Sequence, residues 1–148
     1  MLRRKGLKVL VEARPHLPRG LKAKIRKISE SALRGLGYGD CELSVLVTGN
    51  DEIRKLNKEY RKIDKATDVL SFPMDDERML GDIVISYEKT LAQAKEFKVT
   101  VDEELGRLLV HGLLHLIGYD HVKGGRQAKE MREKEEEALG RLKEKGFI

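Results

Sequence analysis

The sequence contains no tryptophan and a single cysteine, Cys41, among its 148 residues. One thiol cannot form an internal disulfide, so the fold does not depend on covalent cross-links within the chain. Residues 1–20 hold no apolar run long enough for a secretory signal, and no apolar stretch approaches the length needed to cross a bilayer. We therefore expect a cytoplasmic protein that does not insert into a membrane.

The length of the chain restricts its number of domains, and its net charge restricts its expected partners. A chain of 148 residues can bury a hydrophobic core without metal or disulfide cross-links, and it fits one domain spanning residues 1–148. Thirty lysines and arginines against 25 aspartates and glutamates give a formal charge of +5. This excess of positive charge favours polyanionic partners such as nucleic acid, although charged surfaces often serve solvation alone.

Apolar periodicity predicts the element order β-α-β-α-β-β-α-α-α. Four segments have the short, β-favouring pattern of strands: residues 7–11, 41–48, 67–72 and 80–86. Helical periodicity begins near Leu21, Asn50, Leu91, Thr100 and Gly125. Strands in the first two thirds and helices at the end predict an α+β fold, a small mixed four-stranded sheet packed with helices.

Two helix starts carry polar residues suited to capping. We expect Asn50 to be the N-cap of the short second helix, because its side chain can accept from the first free amides. Thr100 and Glu103 have the spacing of a capping box, which would begin the fourth helix. The apolar stripe of this helix predicts that one of its faces is buried: Leu105, Leu108, Leu109, Gly112 and Leu116.

Three of the four histidines lie in the segment 111–121. His111 and His115 are four residues apart, so on a helix their imidazoles project from the same face. Gly118 can adopt the left-handed conformation that ends a helix, and the chain can then turn back to bring His121 to the same point. Three histidines with one open position are typical of a catalytic zinc site, whereas closed structural sites use four ligands rich in cysteine.

The spacing of these histidines also resembles that of the metzincin zinc peptidases. In those enzymes a glutamate follows the first histidine and serves as the general base. Gly112 stands at that position here, so peptidase chemistry would lack its proton acceptor. A divalent ion could still activate water and polarise a phosphoryl oxygen, which leaves phosphodiester hydrolysis open.

Taken together, three segments resemble the YbeY family of metal-dependent endoribonucleases, and the likeness covers nearly the whole chain. These segments are His111 to His121, Leu80-Gly81-Asp82-Ile83 and Leu56-Asn57-x-x-Tyr60-Arg61-x-x-Asp64-x-x-Thr67-Asp68-Val69-Leu70-Ser71-Phe72-Pro73. The resemblance implies an endoribonuclease, a hydrolase with a zincin-like metal helix, that acts on single-stranded RNA. It further implies a role in 3′-end maturation of small-subunit (16S) ribosomal RNA and in ribosome quality control, with the small ribosomal subunit and ribosome-assembly proteins as partners.

The resemblance also assigns residues to the site. It implies that His111, His115 and His121 bind one divalent ion, zinc in the first instance, although three imidazoles also suit nickel. Arg61 corresponds to the family's functional arginine, and its planar guanidinium could hold a phosphate and stabilise charge that develops during cleavage. His111, His115 and Arg61 are accordingly the predicted catalytic residues, and Arg61 is also the predicted substrate-binding residue.

Several other residues have both a functional and a structural interpretation. Asp120 could orient an imidazole or cap the turn after Gly118. Asp68 and Asp82 could bond backbone amides of the metal loop, although half-exposed carboxylates are common in strands. Tyr119 could stack on a base or pack against the helix end. We expect residues 135–137, a run of three glutamates, to face solvent.

Two rival functions remain at this point. The first is a zincin-like metallopeptidase, which the histidine spacing favours and Gly112 disfavours. The second is a non-catalytic RNA-binding or ribosome-binding module in which the metal only stabilises the turn after the helix. Cleavage assays with peptide and RNA substrates separate the three alternatives.

Overall fold

Strands and helices follow one another in the predicted order in a computed structural model that describes residues 6–76, 78–119 and 125–148, apart from the side chains of residues 125 and 126. The strands are β1 (Lys8–Ala13), β2 (Glu42–Thr48), β3 (Val69–Pro73) and β4 (Met79–Ser86). The helices are α1 (Leu21–Gly35), α2 (Asn50–Arg61), α3 (Tyr87–Phe97), α4 (Val101–Leu116) and α5 (Gly125–Glu144). The α+β fold is thus confirmed, with element ends within a few residues of those expected.

The four strands form one mixed sheet in the order β1-β2-β4-β3. Strands β1 and β2 are parallel, as are β2 and β4, whereas β3 is antiparallel to β4. Strand β4 therefore lies in the interior of the sheet, which explains its almost continuous apolar sequence. Strand β3 forms one edge of the sheet and β1 the other.

The two faces of the sheet are covered differently. On the first face, α1 packs against β1, α4 packs against β3 and β4, and α5 packs against the outer sides of α1 and α4. The side chains buried between these layers include Leu43, Val45, Ile83 and Ile85. On the second face, α2 is the one helix among the described residues that contributes to a small buried cluster of Ile53, Leu70 and Val84. The first face therefore holds the main core, and the residues that the structure describes leave part of the second face open.

The start of α2 differs from the prediction. Gly49, in extended conformation, is the N-cap, and Asn50 is already the first helical residue. The Asn50 side chain is used elsewhere, because its Oδ1 accepts a hydrogen bond of 2.6 Å from the Ser86 hydroxyl. Its backbone amide donates to the Glu88 carboxylate at 2.8 Å. The expectation that Asn50 caps α2 was therefore wrong, since the first free amide is satisfied from α3.

Helix α4 begins as predicted. The Thr100 hydroxyl accepts from the backbone amide of Glu103 at 3.0 Å, and the Glu103 carboxylate accepts from the amide of Thr100 at 3.2 Å. All five residues of the predicted apolar stripe are buried. None of the described helices is long and apolar enough to cross a membrane.

Candidate metal centre

His111 and His115 face each other across one turn of α4. Their Nε2 atoms lie 3.1 Å apart, and their rings meet edge to face with centroids separated by 4.7 Å. Two imidazole nitrogens bound to one tetrahedral zinc ion at the usual bond length are separated by about 3.3 Å. The two nitrogens of this pair therefore already have the spacing that a shared divalent ion requires.

The helix ends directly after the histidine pair. Ile117 is the C-cap, and Gly118 has a φ angle of 106°, the left-handed conformation that glycine adopts readily. The amide of Gly118 donates to the carbonyl of His115, and the amide of Tyr119 donates to that of Leu114. Gly118 therefore ends the helix as predicted, and Tyr119 packs against the main core.

The third predicted ligand, His121, lies outside the described residues, as does Asp120. Among the residues that the structure does describe, no cluster of three or more metal-ligating side chains is found. The described part of the site therefore consists of two nitrogens. The assignment of His121 as a ligand remains a prediction.

Gly112, next to the first histidine, lies directly against the sheet. A Cβ atom at this position would come within 3.1 Å of the Ile83 Cδ1 and 3.2 Å of the Ser71 Oγ. The Ser71 hydroxyl also donates to the carbonyl of Gly112 at 3.0 Å. Position 112 thus faces the packed side of α4, where a glutamate side chain would clash with β3 and β4.

A carboxylate from α5 approaches the histidine pair from outside. The Glu135 Oε1 lies 3.7 Å from the His111 Nδ1, and both side chains are about three-quarters buried. The prediction that residue 135 faces solvent was therefore wrong. A carboxylate on the far side of a ligating imidazole favours the tautomer that leaves Nε2 available to a metal.

A second ion cluster lies one turn before His111. Arg107 donates to the two carboxylate oxygens of Glu104 at 2.8 and 2.7 Å, and Glu104 is almost completely buried. These hydrogen bonds raise the pKa of the Arg107 guanidinium. The Asp68 carboxylate lies 3.8 Å from the Arg107 Nη2 and accepts from the amide of Val69. Sequence reasoning missed Arg107, although its four-residue spacing from His111 could have indicated it.

The two remaining predicted site residues lie elsewhere. Arg61, the last residue of α2, is exposed, and its side chain forms no hydrogen bond or ion pair with any residue that the structure describes. Asp82 lies in β4, next to Phe72 of β3, with its side chain on the face opposite to α4. The expectation that Asp82 bonds the metal loop is not supported by this orientation.

Comparisons with known proteins identify one matching family, several relatives of similar sequence and a solved structure of similar fold. Residues 12–143 match the sequence profile of the family described as Endoribonuclease YbeY. A protein named Endoribonuclease YbeY from Aquifex aeolicus is 49% identical over 144 residues, or 95% of each chain. Its namesake from Sulfurihydrogenibium is 44% identical over 80% of this chain and 81% of the relative. The solution structure of a Thermotoga maritima protein aligns with a TM-score of 0.62 at 28% identity and covers 94% of each chain.

Proposed function

The chain belongs to the YbeY family of metal-dependent endoribonucleases, and from this membership we propose that it cleaves single-stranded RNA during 3′-end maturation of small-subunit ribosomal RNA and in ribosome quality control. It is an endoribonuclease, a hydrolase of phosphodiester bonds. We place its work in the cytoplasm, with 16S ribosomal RNA, the small subunit and ribosome-assembly proteins as partners. The whole chain, residues 1–148, acts as one domain in this proposal.

The observation that carries the proposed site is the pair of imidazole nitrogens on α4, 3.1 Å apart. His111, His115 and His121 would hold one divalent ion, zinc or nickel, with Glu135 fixing the orientation of His111. When bound, such an ion supplies a Lewis acid that polarises a phosphoryl oxygen and lowers the pKa of water. The spacing of the described nitrogens fits this donor set.

The protein's own groups then bind and orient the RNA. Arg61 presents a guanidinium with no partner among the described residues, so its donors are available for two-point contact with a phosphate. Contact of this kind stabilises negative charge that develops on the phosphoryl oxygens during in-line attack. Arg61 thus serves substrate binding and the transition state in this proposal.

Position 112 cannot supply the general base of a peptidase, because Ile83 and Ser71 fill the space around it. The nucleophile is then either water or the 2′-hydroxyl of the RNA itself. The two routes leave different ends, since attack by the 2′-hydroxyl gives a 2′,3′-cyclic phosphate. Detection of that product by mass spectrometry would exclude direct hydrolysis as the sole route.

The test compares His111→Ala and His115→Ala with His16→Ala, a histidine before α1 and far from the pair in sequence. We expect both site variants to lose bound metal, measured by elemental analysis, and to lose cleavage of single-stranded RNA by at least about a hundredfold. His16→Ala should retain both properties. Arg61→Ala should keep its metal and lose activity.

Two results would contradict the proposal. One is equal RNA cleavage by the wild type and by His111→Ala after removal of contaminating nucleases. The other is cleavage of a peptide library by the wild-type protein with no cleavage of RNA.

A further inference from the structure

The open part of the second sheet face contains a groove of about 520 Å³. Its floor is a row of residues paired across the strands: Leu10 of β1 with Ser44 of β2, Ser44 with Asp82 of β4, and Asp82 with Phe72 of β3. Tyr60, near the end of α2, forms one wall. The groove is therefore largely apolar, with a carboxylate and a hydroxyl side by side at its centre.

Asp82 stands out within this floor. It lies on an interior strand and is partly buried, yet the described residues provide its carboxylate with no hydrogen bond and no ion pair. A partly buried carboxylate loses solvation, and proteins normally compensate that loss with donors. Its two oxygens accept and cannot donate, so they suit a ligand that presents adjacent N–H groups.

The wall of the groove suits a flat ligand. The rings of Tyr60 and Phe72 meet edge to face with centroids 5.3 Å apart. Tyr60 is 62% exposed, so much of its ring surface is uncovered. Exposed aromatic rings are common stacking surfaces for the bases of single-stranded RNA. The carboxylates of Asp82 and Glu12 would repel a phosphate, so a base enters the groove more readily than the RNA backbone does.

The groove and the histidine pair lie on opposite faces of the sheet, and the edge strand β3 contributes side chains to both faces. Successive side chains of β3 point to opposite faces, so Phe72 faces the groove while Ser71 faces α4. The Ser71 hydroxyl bonds the carbonyl of Gly112, the residue that follows His111. Arg61, the proposed phosphate ligand, directly follows Tyr60 on α2. An RNA strand passing over this sheet edge could therefore contact both faces.

We propose that the groove binds the base of a nucleotide flanking the cleaved phosphate and that Asp82 selects guanine there. This inference rests on the proposed function, because it presupposes a single-stranded RNA substrate. Guanine is the one common RNA base whose Watson–Crick edge presents two adjacent donors, N1–H and the 2-amino group. Cytosine, adenine and uracil all place an acceptor beside their donor, which would face a carboxylate oxygen unfavourably.

Binding is measured by fluorescence anisotropy with the full-length protein and labelled oligouridine that carries one central guanosine or none. We expect about tenfold tighter binding of the guanosine probe, the discrimination typical of a two-point hydrogen bond to a base. Inosine lacks the 2-amino group and should lose most of this gain. 7-Deazaguanosine keeps the Watson–Crick edge and should retain it. A gel after each titration verifies that the probes are intact.

Asp82→Asn should abolish the preference for guanosine, because the amide presents one acceptor and one donor group in place of two acceptor oxygens. The matched control is Asp51→Asn, the same chemical change at an exposed position in the first turn of α2. Tyr60→Ala should weaken every probe about tenfold through lost stacking, and Tyr60→Phe should restore it. Tyr60 is exposed, so this pair of variants remains informative even if Asp82→Asn folds poorly.

Equal affinity for the guanosine and uridine probes, or an unchanged preference in Asp82→Asn, would overturn the inference. Failure of the proposed function gives a different pattern. In that case the guanosine preference is present in binding, but the wild-type protein cleaves no RNA. Conversely, RNA cleavage without base-selective binding retains the nuclease function and removes the guanine groove.

Discussion

Helices α4 and α2 contact opposite faces of the sheet and are held there in different ways. Helix α4 starts with a complete capping box and buries ten of its 16 residues. Helix α2 starts at Gly49, which has no side chain of its own to cap the helix, and of its 12 residues only Ile53 and Asn57 are buried. Helix α4 carries the histidine pair, and helix α2 carries Tyr60 and Arg61.

This difference fits the separate tasks proposed for the two helices. Metal ligands must keep a fixed geometry to within a fraction of an ångström, which favours a deeply packed element. Residues that contact a flexible polymer such as RNA gain from local adjustment, because each nucleotide arrives with a different base and backbone shape. We therefore predict that substitutions in α4 lower stability and metal binding, whereas substitutions in α2 mainly affect RNA binding.

The largest effect on stability is expected from a substitution that creates a cavity beneath α4. Leu113 is fully buried in the main core, so Leu113→Ala should lower the free energy of unfolding by about 3 kcal/mol. Leu56→Ala, at a partly buried position of α2, should cost about 1 kcal/mol. Urea denaturation measures both. Equal losses would mean that the two helices are anchored alike, which would contradict the comparison.

Local sequence patterns predicted much of the framework of the site. The capping box at Thr100, the apolar stripe of α4 and the helix end at Gly118 each depend on residues within a few positions of one another. The continuous apolar run of β4 likewise indicated an interior strand. For these features the physical cause lies within the segment itself, so the segment is sufficient to predict them.

Other features depend on distant parts of the chain. Glu135 approaches His111 only because α5 folds back over α4, and no local pattern encodes that contact. The face on which Asp82 lies follows from the pairing of β4 with its neighbours, which sequence alternation left open. The Asn50 prediction failed for the same reason, since Ser86 and Glu88 come from another part of the chain.

An intermediate effect is expected from the polar anchor of α2. Asn57 is buried, and its side-chain amide donates to the carbonyl of Lys65 at 2.9 Å, which ties the connection after α2 to the helix. Asn57→Ala should lower the free energy of unfolding by about 1–2 kcal/mol and weaken RNA binding, because Arg61 directly precedes this connection. Metal content should be unchanged, and exposed Lys58→Ala serves as the control for stability. Loss of metal from Asn57→Ala would show that the two helices are coupled.

The smallest effect on stability is expected from removing the negative charge of Glu103, the carboxylate in the capping box of α4. The hydrogen bond from the Thr100 amide holds the pKa of the Glu103 carboxyl below its ordinary value of 4.5. Because folding lowers this pKa, the stability that Glu103 contributes is fully present above about pH 4.5 and is lost as the pH falls through the lower pKa of the folded state. Glutamine at this position can still accept the hydrogen bond, but it carries no charge.

Glu103→Gln should therefore be less stable than the wild type at neutral pH, and the difference should shrink as the solution is acidified below that range. Thermal unfolding from pH 7 to pH 3 measures the convergence, with exposed Glu136→Gln on α5 as the control. A constant difference between Glu103→Gln and the wild type across this range would mean that the charge adds nothing to the cap. The firmer anchoring of α4 than of α2 would then rest on packing and on the Thr100 hydroxyl alone, since α2 also carries acidic residues in its first turn.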